Sequence, residues 1–280
     1  MAAKKSDGTD RQSLSTIAMQ TGYFARTSQP VYALIFLLPF ILLYEILVLL
    51  VNPQLLSEPV GNVRGAVVSF VWVQNFLHYF GMDTKSAWLF APVVVMLTLL
   101  ILQLFAGHSW KVRLGDLPVM AVECLILAIP LIVLALVLNR SANVPGNNIS
   151  SQYDSGHNIA MDLLTGIGAG IYEELIFRLI LISLSLVFFE TVLGISKFKA
   201  VIISVIISSV LFSLHHHFVF LNGRFAKAEI FTMARFAFRT VAGVFFAVIF
   251  AARGFGIVAG THAFYDIIAT LLNAWLFEQY

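Results

Sequence analysis

Charged residues and cysteine are both scarce in this 280-residue chain. Asp, Glu, Lys and Arg make up 11% of the residues, hydrophobic residues make up 59%, and the mean hydropathy is +0.89. A soluble domain of this size could hardly bury so much apolar surface, so we predict a polytopic helical membrane protein. The single cysteine, Cys124, excludes an internal disulfide framework and disfavours a cysteine-ligated metal site. A formal net charge of +2 does not indicate a nucleic-acid partner.

Familiar hydrolase motifs are also missing. The sequence has no H-E-x-x-H helix of the zinc proteases and no G-x-S-x-G nucleophile elbow. It shows no internal repeat and no soluble second domain. No cleavable signal peptide is recognisable, because the first thirty residues are polar and the first long apolar run starts near Val31. Any chemistry must therefore come from polar residues inside the apolar runs.

Seven apolar runs are long enough to be membrane spans. They are, roughly, Val31–Val51, Ala87–Ala106, Leu117–Leu138, Ile159–Phe189, Ala200–His215, Glu229–Ala252 and Ile257–Leu276. The run Ala66–Phe80 is too short for a comfortable span and carries Gln74, Asn75 and His78 on one face, which favours an interfacial or re-entrant amphipathic helix. We predict an all-α bundle of seven spans, or eight if this segment also crosses the membrane.

Basic residues predict the orientation of the bundle. Lys4, Lys5, Arg11 and Arg26 precede the first span and favour a cytoplasmic N-terminus. With seven spans, the basic loops at 107–116 and 190–199 and the residue at 253 all fall on the cytoplasmic side. The loop 218–228, which also carries basic residues, is the exception.

Three ionisable residues lie deep inside the run Ile159–Phe189: Glu173, Glu174 and Arg178. Each costs at least about 2.5–3.5 kcal/mol at bilayer depth, so such residues are rare and usually functional. Glu174 and Arg178 have the i,i+4 spacing of an ion pair. Glu173 is rotated by about 100° from Glu174, so we expect the two acids to face different neighbours. Either Glu173 points into the bundle as a general base, or all three residues form a packing network.

Two later spans also carry polar groups at membrane depth. One ends in Phe212-Ser213-Leu214-His215-His216-His217, and the last contains His262 and Asp266 at i,i+4. An aspartate beside an imidazole can orient it or favour its charged form. The structural alternatives are an interfacial histidine cluster and an interhelical hydrogen bond. Taken together, acids and imidazoles on three helices could activate a water and stabilise an oxyanion, and they could also hold a divalent metal.

The other ionisable residues of the spans favour structural roles. Glu45 is interpreted as a helix-packing partner, and Glu123 and His78 as interfacial residues. Arg235 and Arg239 are i,i+4 and share a face. They could line a surface that meets an acid or a substrate carboxylate, but we favour a pair that neutralises acids on neighbouring helices.

These motifs resemble those of the CPBP intramembrane proteases, which include the type II CAAX prenyl proteases and the bacterial Abi-type proteins. The family pattern is E-E-x-x-x-R, F-x-x-x-H, and H-x-x-x-N or H-x-x-x-D on three core helices. In this chain the motifs read Glu173-Glu174-x-x-x-Arg178, Phe212-x-x-x-His216 and His262-x-x-x-Asp266, in the same order, within roughly residues 165–275. The N-terminal half resembles the family only in being hydrophobic.

The resemblance implies a role for each motif residue. Glu173 would be the base that activates water, and Glu174, paired with Arg178, would support it. His216 and His262 would orient the water or stabilise the tetrahedral oxyanion.

The histidine run raises a question of register. The family spacing from Phe212 selects His216. Neighbouring residues on a helix are turned by about 100°, so we expect only one of His215, His216 and His217 to aim at Glu173, with His215 as the reserve.

Asp266 departs from the pattern of the prenyl proteases, which usually have asparagine at this position. Asparagine can donate a hydrogen bond to an oxyanion, whereas an ionised aspartate cannot. The difference favours the bacterial branch of the family over a strict prenyl-protein substrate.

The resemblance implies an intramembrane endopeptidase that uses glutamate-activated water. The substrate would be a membrane-embedded or lipid-modified protein within the lipid bilayer. No cofactor is expected, although zinc or another divalent metal stays an alternative. We expect a polar cytoplasmic tail at residues 1–30, N-terminal transmembrane helices at 31–158 and a catalytic transmembrane core at 159–280. The setting would be a bacterial inner membrane.

Two other functions stay open at this point. A non-proteolytic immunity or maturation protein could retain the same fold and motifs. A proton- or ion-coupled transporter could use the same buried groups, although the inverted repeat typical of transporters is missing.

Overall fold

A computed structural model describes residues 22–51, 67–141, 159–221, 224–227 and 231–277 of the chain. Within these ranges, six helices are long and apolar enough to cross a membrane. The last of them is two helices joined at a break, because Gly254 has non-helical backbone angles of φ 76° and ψ −176°. The predicted all-α polytopic bundle is confirmed, and counting both halves gives seven membrane-length segments within these ranges.

The elements follow one another along the chain as a series of helices with one hairpin. Helix α1 is Tyr23–Thr27, α2 is Pro30–Val51, α3 is Val68–Tyr79, α4 is Thr84–Ala106 and α5 is Asp116–Ser141. Helix α6 comprises Ile159–Glu174, a π-helical segment Leu175–Ile182, Ser183–Val187 and a second π-helical segment Phe188–Val192. Then come α7 at Lys197–His217, strands β1 at Phe218–Leu221 and β2 at Arg224–Lys227, and α8 at Met233–Phe277. The two strands are antiparallel, with Phe218 opposite Lys227.

Some of the sequence-based predictions fall outside the described residues. Lys4, Lys5 and Arg11 belong to that group, together with most of the tail at residues 1–30. The orientation of the bundle and the proposed domain boundaries therefore stay predictions.

Helix α3 is too short to span a membrane. Its 12 residues reach about 18 Å at 1.5 Å per residue, against about 30 Å for the hydrocarbon core. Gln74 is fully buried in the bundle, whereas Phe76 and Tyr79 on the outer face are 58% and 89% exposed. Burying a polar group while exposing aromatic rings suits an apolar or interfacial environment, in line with the predicted interfacial or re-entrant helix.

Helices α6 and α8 touch through their backbones. A Cβ added at Gly170 would lie 2.6 Å from the backbone nitrogen of Ala263, and one added at Gly166 would lie 2.7 Å from Cβ of Asp266. No residue larger than glycine fits these two positions without a shift of the helices. The spacing Gly166-x-x-x-Gly170 is the small-residue pattern that lets membrane helices approach closely. It brings the acid pair of α6 next to the histidine of α8.

Helix α8 is central, since it packs against α2, α5, α6 and α7. Two further glycines allow close packing on its other side. A Cβ at Gly256 would lie 2.8 Å from Cα of Ala33 on α2, and one at Gly260 would lie 2.8 Å from Sγ of Cys124 on α5. The second half of α8 is therefore enclosed on several sides by closely packed helices.

Candidate active site

One carboxylate lies at the centre of the polar groups that α6, α7 and α8 bring together. An oxygen of Glu173 is 3.3 Å from Nε2 of His215, and the other oxygen is 3.9 Å from Nε2 of His216 and 3.9 Å from Nε2 of His262. Glu173, His215 and His262 are buried, and His216 is partly exposed. Residues that are far apart in the sequence thus surround a single acid.

The acid pair stands where α6 changes its helical geometry. Glu173 and Glu174 end the α-helical segment, and the π-helical segment begins at Leu175. Such π-helical turns are rare in proteins overall, and those that occur often lie at functional sites. The hydroxyl of the buried Ser208 on α7 donates to the carbonyl of Phe177 at 2.6 Å. This bond ties α7, which carries the histidines, to α6 one turn beyond the acids.

The second acid belongs to a buried network. Oε2 of Glu174 is 3.1 Å from Nε of Arg178, and neither side chain is exposed. Nη2 of Arg178 donates to the carbonyl of Gly243 at 3.3 Å, and its guanidinium lies 4.2 Å from the ring centre of Phe212. Oε1 of Glu174 is 2.8 Å from Nδ1 of His262. The predicted i,i+4 ion pair is present, and it orients the carboxylate that holds His262.

The expectation that Glu173 and Glu174 face different neighbours is wrong. His262 reaches both acids, with Nδ1 against Glu174 and Nε2 towards Glu173. An imidazole carries its two nitrogens on different edges of the ring, so it can bridge two carboxylates that are rotated apart on one helix.

The expectation that only one of the three consecutive histidines aims at Glu173 is also wrong. His215 and His216 both approach it, and their ring centres are 4.2 Å apart. The reason is a shared anchor: Nδ1 of His215 and Nδ1 of His216 lie 2.9 and 2.8 Å from the carbonyl of Phe212. Residues i+3 and i+4 flank the same carbonyl on a helix. His217 is on another side and packs against Phe231, with ring centres 5.0 Å apart.

The shared anchor decides which ring nitrogens carry hydrogen. A carbonyl oxygen only accepts, so Nδ1 of both His215 and His216 must donate to Phe212. In the neutral rings Nε2 then presents a lone pair towards Glu173. Two adjacent charged imidazoles would repel each other, so at least one ring is expected to be neutral. Acceptor atoms that converge in this way suit a species that donates two hydrogens, such as water, or a cation.

Asp266 lies at the far edge of His262. Its Oδ2 is 3.4 Å from Nε2 of His262, and its side chain is 26% exposed. Arg239 on the first half of α8 is close enough for its charge to act on Asp266 and on His216. The interpretation of Arg235 and Arg239 as a pair that neutralises acids on neighbouring helices stays a prediction.

Two aromatic contacts of the site were not predicted from the sequence. Phe246 stacks on His262 with ring centres 4.5 Å apart, and Trp72 of α3 lies edge-on to His215 at 5.7 Å. Aromatic residues are common throughout the apolar runs, so no pattern singled out these two. Only the packing of α3 and of the two halves of α8 reveals their positions.

Two acids assigned to structural roles have interhelical partners. Glu45 accepts a hydrogen bond from the hydroxyl of Tyr172 at 3.1 Å, which agrees with a packing role. Glu123 was interpreted as interfacial, but it is bonded to Arg253 and Tyr23. It therefore joins separate segments of the fold.

The cluster could also hold a metal ion. Among the residues that the structure describes, Glu173, His215 and His216 place one ligand atom each within 4.8 Å of one another. Two imidazole nitrogens and a carboxylate oxygen are donors that zinc accepts. The hydrogen bonds from both Nδ1 atoms to Phe212 are of the kind that orients metal-binding histidines. The same atoms suit a water molecule, so the donor set alone does not decide between them.

The membrane-length helices define the class of protein, a polytopic membrane protein, and its bundle encloses a cluster of acids and imidazoles. Residues 155–268 match the family model described as Type II CAAX prenyl endopeptidase Rce1-like. This part of the chain is a domain of that family, so the predicted family is confirmed, and the chain is an integral membrane protein. The matched range contains all the candidate residues from Glu173 to Asp266. No curated protein and no solved structure matches the chain.

Proposed function

We propose that the protein is an intramembrane endopeptidase in which Glu173 activates a water molecule. The observation that supports this most directly is the convergence of Glu173 with Nε2 of His215 and of His216, at 3.3 and 3.9 Å. A membership in an endopeptidase family supports peptide hydrolysis as the reaction type. The mechanism and the substrate are inferred from the chemistry of the site.

A water bound among these acceptors would donate one hydrogen to Glu173 and the other to Nε2 of a histidine. Its lone pair is then free to attack the carbonyl carbon of the scissile peptide. As the new C–O bond forms, Glu173 takes a proton from the water. When the C–N bond breaks, the protonated Glu173 returns that proton to the leaving amine.

His262 has the surroundings of an oxyanion donor. Glu174 accepts from its Nδ1 at 2.8 Å, while Glu173 and Asp266 face its Nε2 at 3.9 and 3.4 Å. These carboxylates stabilise a ring that carries hydrogen on both nitrogens. The N–H at Nε2 would then donate to the oxygen of the tetrahedral intermediate, where negative charge develops. Asp266 would act by supporting the charged ring, which an aspartate can do although it cannot donate to the oxyanion itself.

Arg178 would contribute from behind the reacting atoms. It neutralises Glu174 where neither side chain is exposed, and Glu174 in turn orients His262. Arg178 is therefore a positioning residue, and Glu173, His215, His216 and His262 are the groups that would touch the water or the substrate.

The proposed substrate is a membrane-embedded or lipid-modified protein that is cut at the depth of Glu173. The name of the matched family indicates prenylated proteins as one such class. Asp266, at the position where prenyl proteases usually have asparagine, favours a substrate of the bacterial branch instead. The proposed setting is a bacterial inner membrane with the N-terminus in the cytoplasm.

The test is peptide cleavage by the full-length protein in liposomes. The probes are a fluorogenic farnesylated CAAX-type peptide and an unmodified peptide with one membrane span. We expect Glu173→Gln to abolish cleavage, because an amide cannot accept the proton of the water. Glu190→Gln, the same change at an exposed position near the end of α6, should leave cleavage intact. Cleavage by the Glu173→Gln protein at the wild-type rate would overturn the proposal.

A further inference from the structure

Arg253 stands directly before the break in α8 and uses all five of its guanidinium N–H groups. Nε and Nη2 donate to the two carboxylate oxygens of Glu123 on α5, at 2.5 and 2.9 Å. Nη1 donates to the carbonyl of Phe24 and to the hydroxyl of Ser28, both at 2.9 Å. Nη2 also donates to Oγ1 of Thr27 at 2.8 Å. One side chain therefore joins α5, the α1 region and the end of the first half of α8.

The break itself is built against the end of α1. Gly254 has a φ of +76°, and a Cβ there would lie 2.8 Å from the carbonyl oxygen of Ser28. The hydroxyl of Tyr23 donates to Glu123 at 2.8 Å, and the ring of Phe24 lies 4.5 Å from the guanidinium of Arg253. We call this group the N-terminal clamp, comprising Tyr23, Phe24, Thr27, Ser28, Glu123 and Arg253.

The two halves of α8 share the candidate active site. The first half carries Phe246 and the second half carries His262, and the two rings stack across the break. Gly254 has non-helical backbone angles, so helix continuity does not set the angle between the halves. That angle must instead be held by side-chain packing and by polar contacts at the break. The N-terminal clamp is the polar network at that point.

We propose that the N-terminal clamp positions His262 against Glu174 and Phe246. Arg253 would be a positioning residue, since it acts through the angle of the break and contacts no group of the Glu173 cluster. The kinetic part of this inference rests on the proposed function, whereas the structural part does not. The clamp joins segments as distant in the sequence as Phe24 and Arg253, so it makes the geometry of the site depend on α1.

The test compares full-length variants in lipid nanodiscs. Arg253→Lys keeps the positive charge but lacks the planar fork that serves five acceptors. Arg26→Lys is the matched control, because Arg26 is also an arginine and lies on α1, but it pairs with Asp116 at 3.1 Å. Thr27→Val is a milder variant that removes one acceptor of the clamp, in case Arg253→Lys does not fold. Each protein is examined by amide hydrogen exchange and by peptide cleavage.

In Arg253→Lys and Thr27→Val we expect residues 255–270 to exchange faster than in the wild type. The first half of α8 should change less. We also expect kcat to fall roughly ten- to a hundredfold in Arg253→Lys with KM nearly unchanged, since a small misplacement of a catalytic group costs rate. Arg26→Lys should match the wild type in both measurements. Wild-type exchange and kcat in both clamp variants, or faster exchange spread evenly over all helices, would overturn the inference. If the clamp variants show the local exchange changes but the wild-type protein cuts no peptide, the clamp is upheld and the proposed function is overturned.

Discussion

The ring of Phe246 lies almost flat on the ring of His262, with an interplanar angle of 18° and a centroid separation of 4.5 Å. This face-on contact restricts the orientation of an imidazole whose two nitrogens are directed at Glu174 and Glu173. Because the rings belong to different halves of α8, the stack also reports on the angle at the break.

Replacing Phe246 with leucine should slow catalysis more than it weakens binding. Leucine fills much of the same space but leaves the imidazole free to rotate, so we expect kcat to fall about tenfold. Phe245→Leu on the same helix is the control, because its ring does not stack on His262. Initial rates over a range of peptide concentrations separate kcat from KM. Equal effects of the two substitutions would show that the stack has no special role.

His215 and His216 should both be required for cleavage, and His217 should not. The two that share the carbonyl of Phe212 face Glu173, whereas His217 packs on Phe231. We expect His215→Gln and His216→Gln each to lower the rate by about 10²-fold, because both rings place the water that Glu173 activates.

The matching His217→Gln variant should retain most of the activity once its amount is corrected for folding. Single-turnover cleavage by each variant in liposomes gives the comparison. Full activity in His215→Gln would show that the family spacing, which selects His216 alone, describes the site better than the distances do.

Gly170→Ala should destabilise the bundle and distort the site. The new methyl would lie 2.6 Å from the backbone nitrogen of Ala263, and a backbone atom cannot move away as the tip of a side chain can. Overpacking of this kind costs about 1–3 kcal/mol. Gly115→Ala is the control, since its Cβ would meet nothing within 4 Å. Thermal unfolding followed by tryptophan fluorescence should show a lower Tm for Gly170→Ala only; an unchanged Tm would contradict the close packing.

Replacing one partner of the buried ion pair should lower the free energy of unfolding more than replacing both. Arg178→Met leaves Glu174 buried without its cation, which typically costs about 3–5 kcal/mol. The double variant Arg178→Met with Glu174→Gln has no uncompensated charge and should recover much of that stability. It should still cleave slowly, because a neutral amide does not stabilise the charged form of His262. Chemical denaturation gives the stabilities, and a double variant as unstable as the single one would contradict this account.

Cleavage should not depend on an added metal. Glu173 and the two Nε2 atoms can hold a water through hydrogen bonds alone, which is the mechanism proposed above. We therefore expect the same rate before and after treatment with 1,10-phenanthroline and dialysis. A loss of activity that zinc restores would instead assign Glu173, His215 and His216 as metal ligands.

Several features could be predicted from the sequence because they depend on local order along one helix. Apolar runs of membrane length predicted the spans, and the four-residue spacing of Glu174 and Arg178 predicted their pairing. The three motifs also predicted the family, since each consists of residues a few positions apart.

Other features of the site depend on side-chain directions and could not be derived from spacing. The rotation of about 100° per residue suggested that one histidine would face Glu173. Instead, His215 and His216 both turn towards the carbonyl of Phe212, and both rings reach Glu173. The same rule separated Glu173 from Glu174, but the size of the imidazole allows His262 to bridge them. A helical wheel describes where side chains leave the helix, not where their ends lie.

The sequence by itself determined that this is a helical membrane protein with acids and histidines on three of its spans. Hydrophobic length and the energetic cost of buried charge are properties of each segment alone, so they can be inferred without a partner. Tertiary structure decided which of those groups meet, that α8 breaks at Gly254, and that Arg253 ties the break to α1. These outcomes depend on how closely neighbouring helices approach, and that is settled only when glycine faces such as Gly166 and Gly170 find their partners on α8.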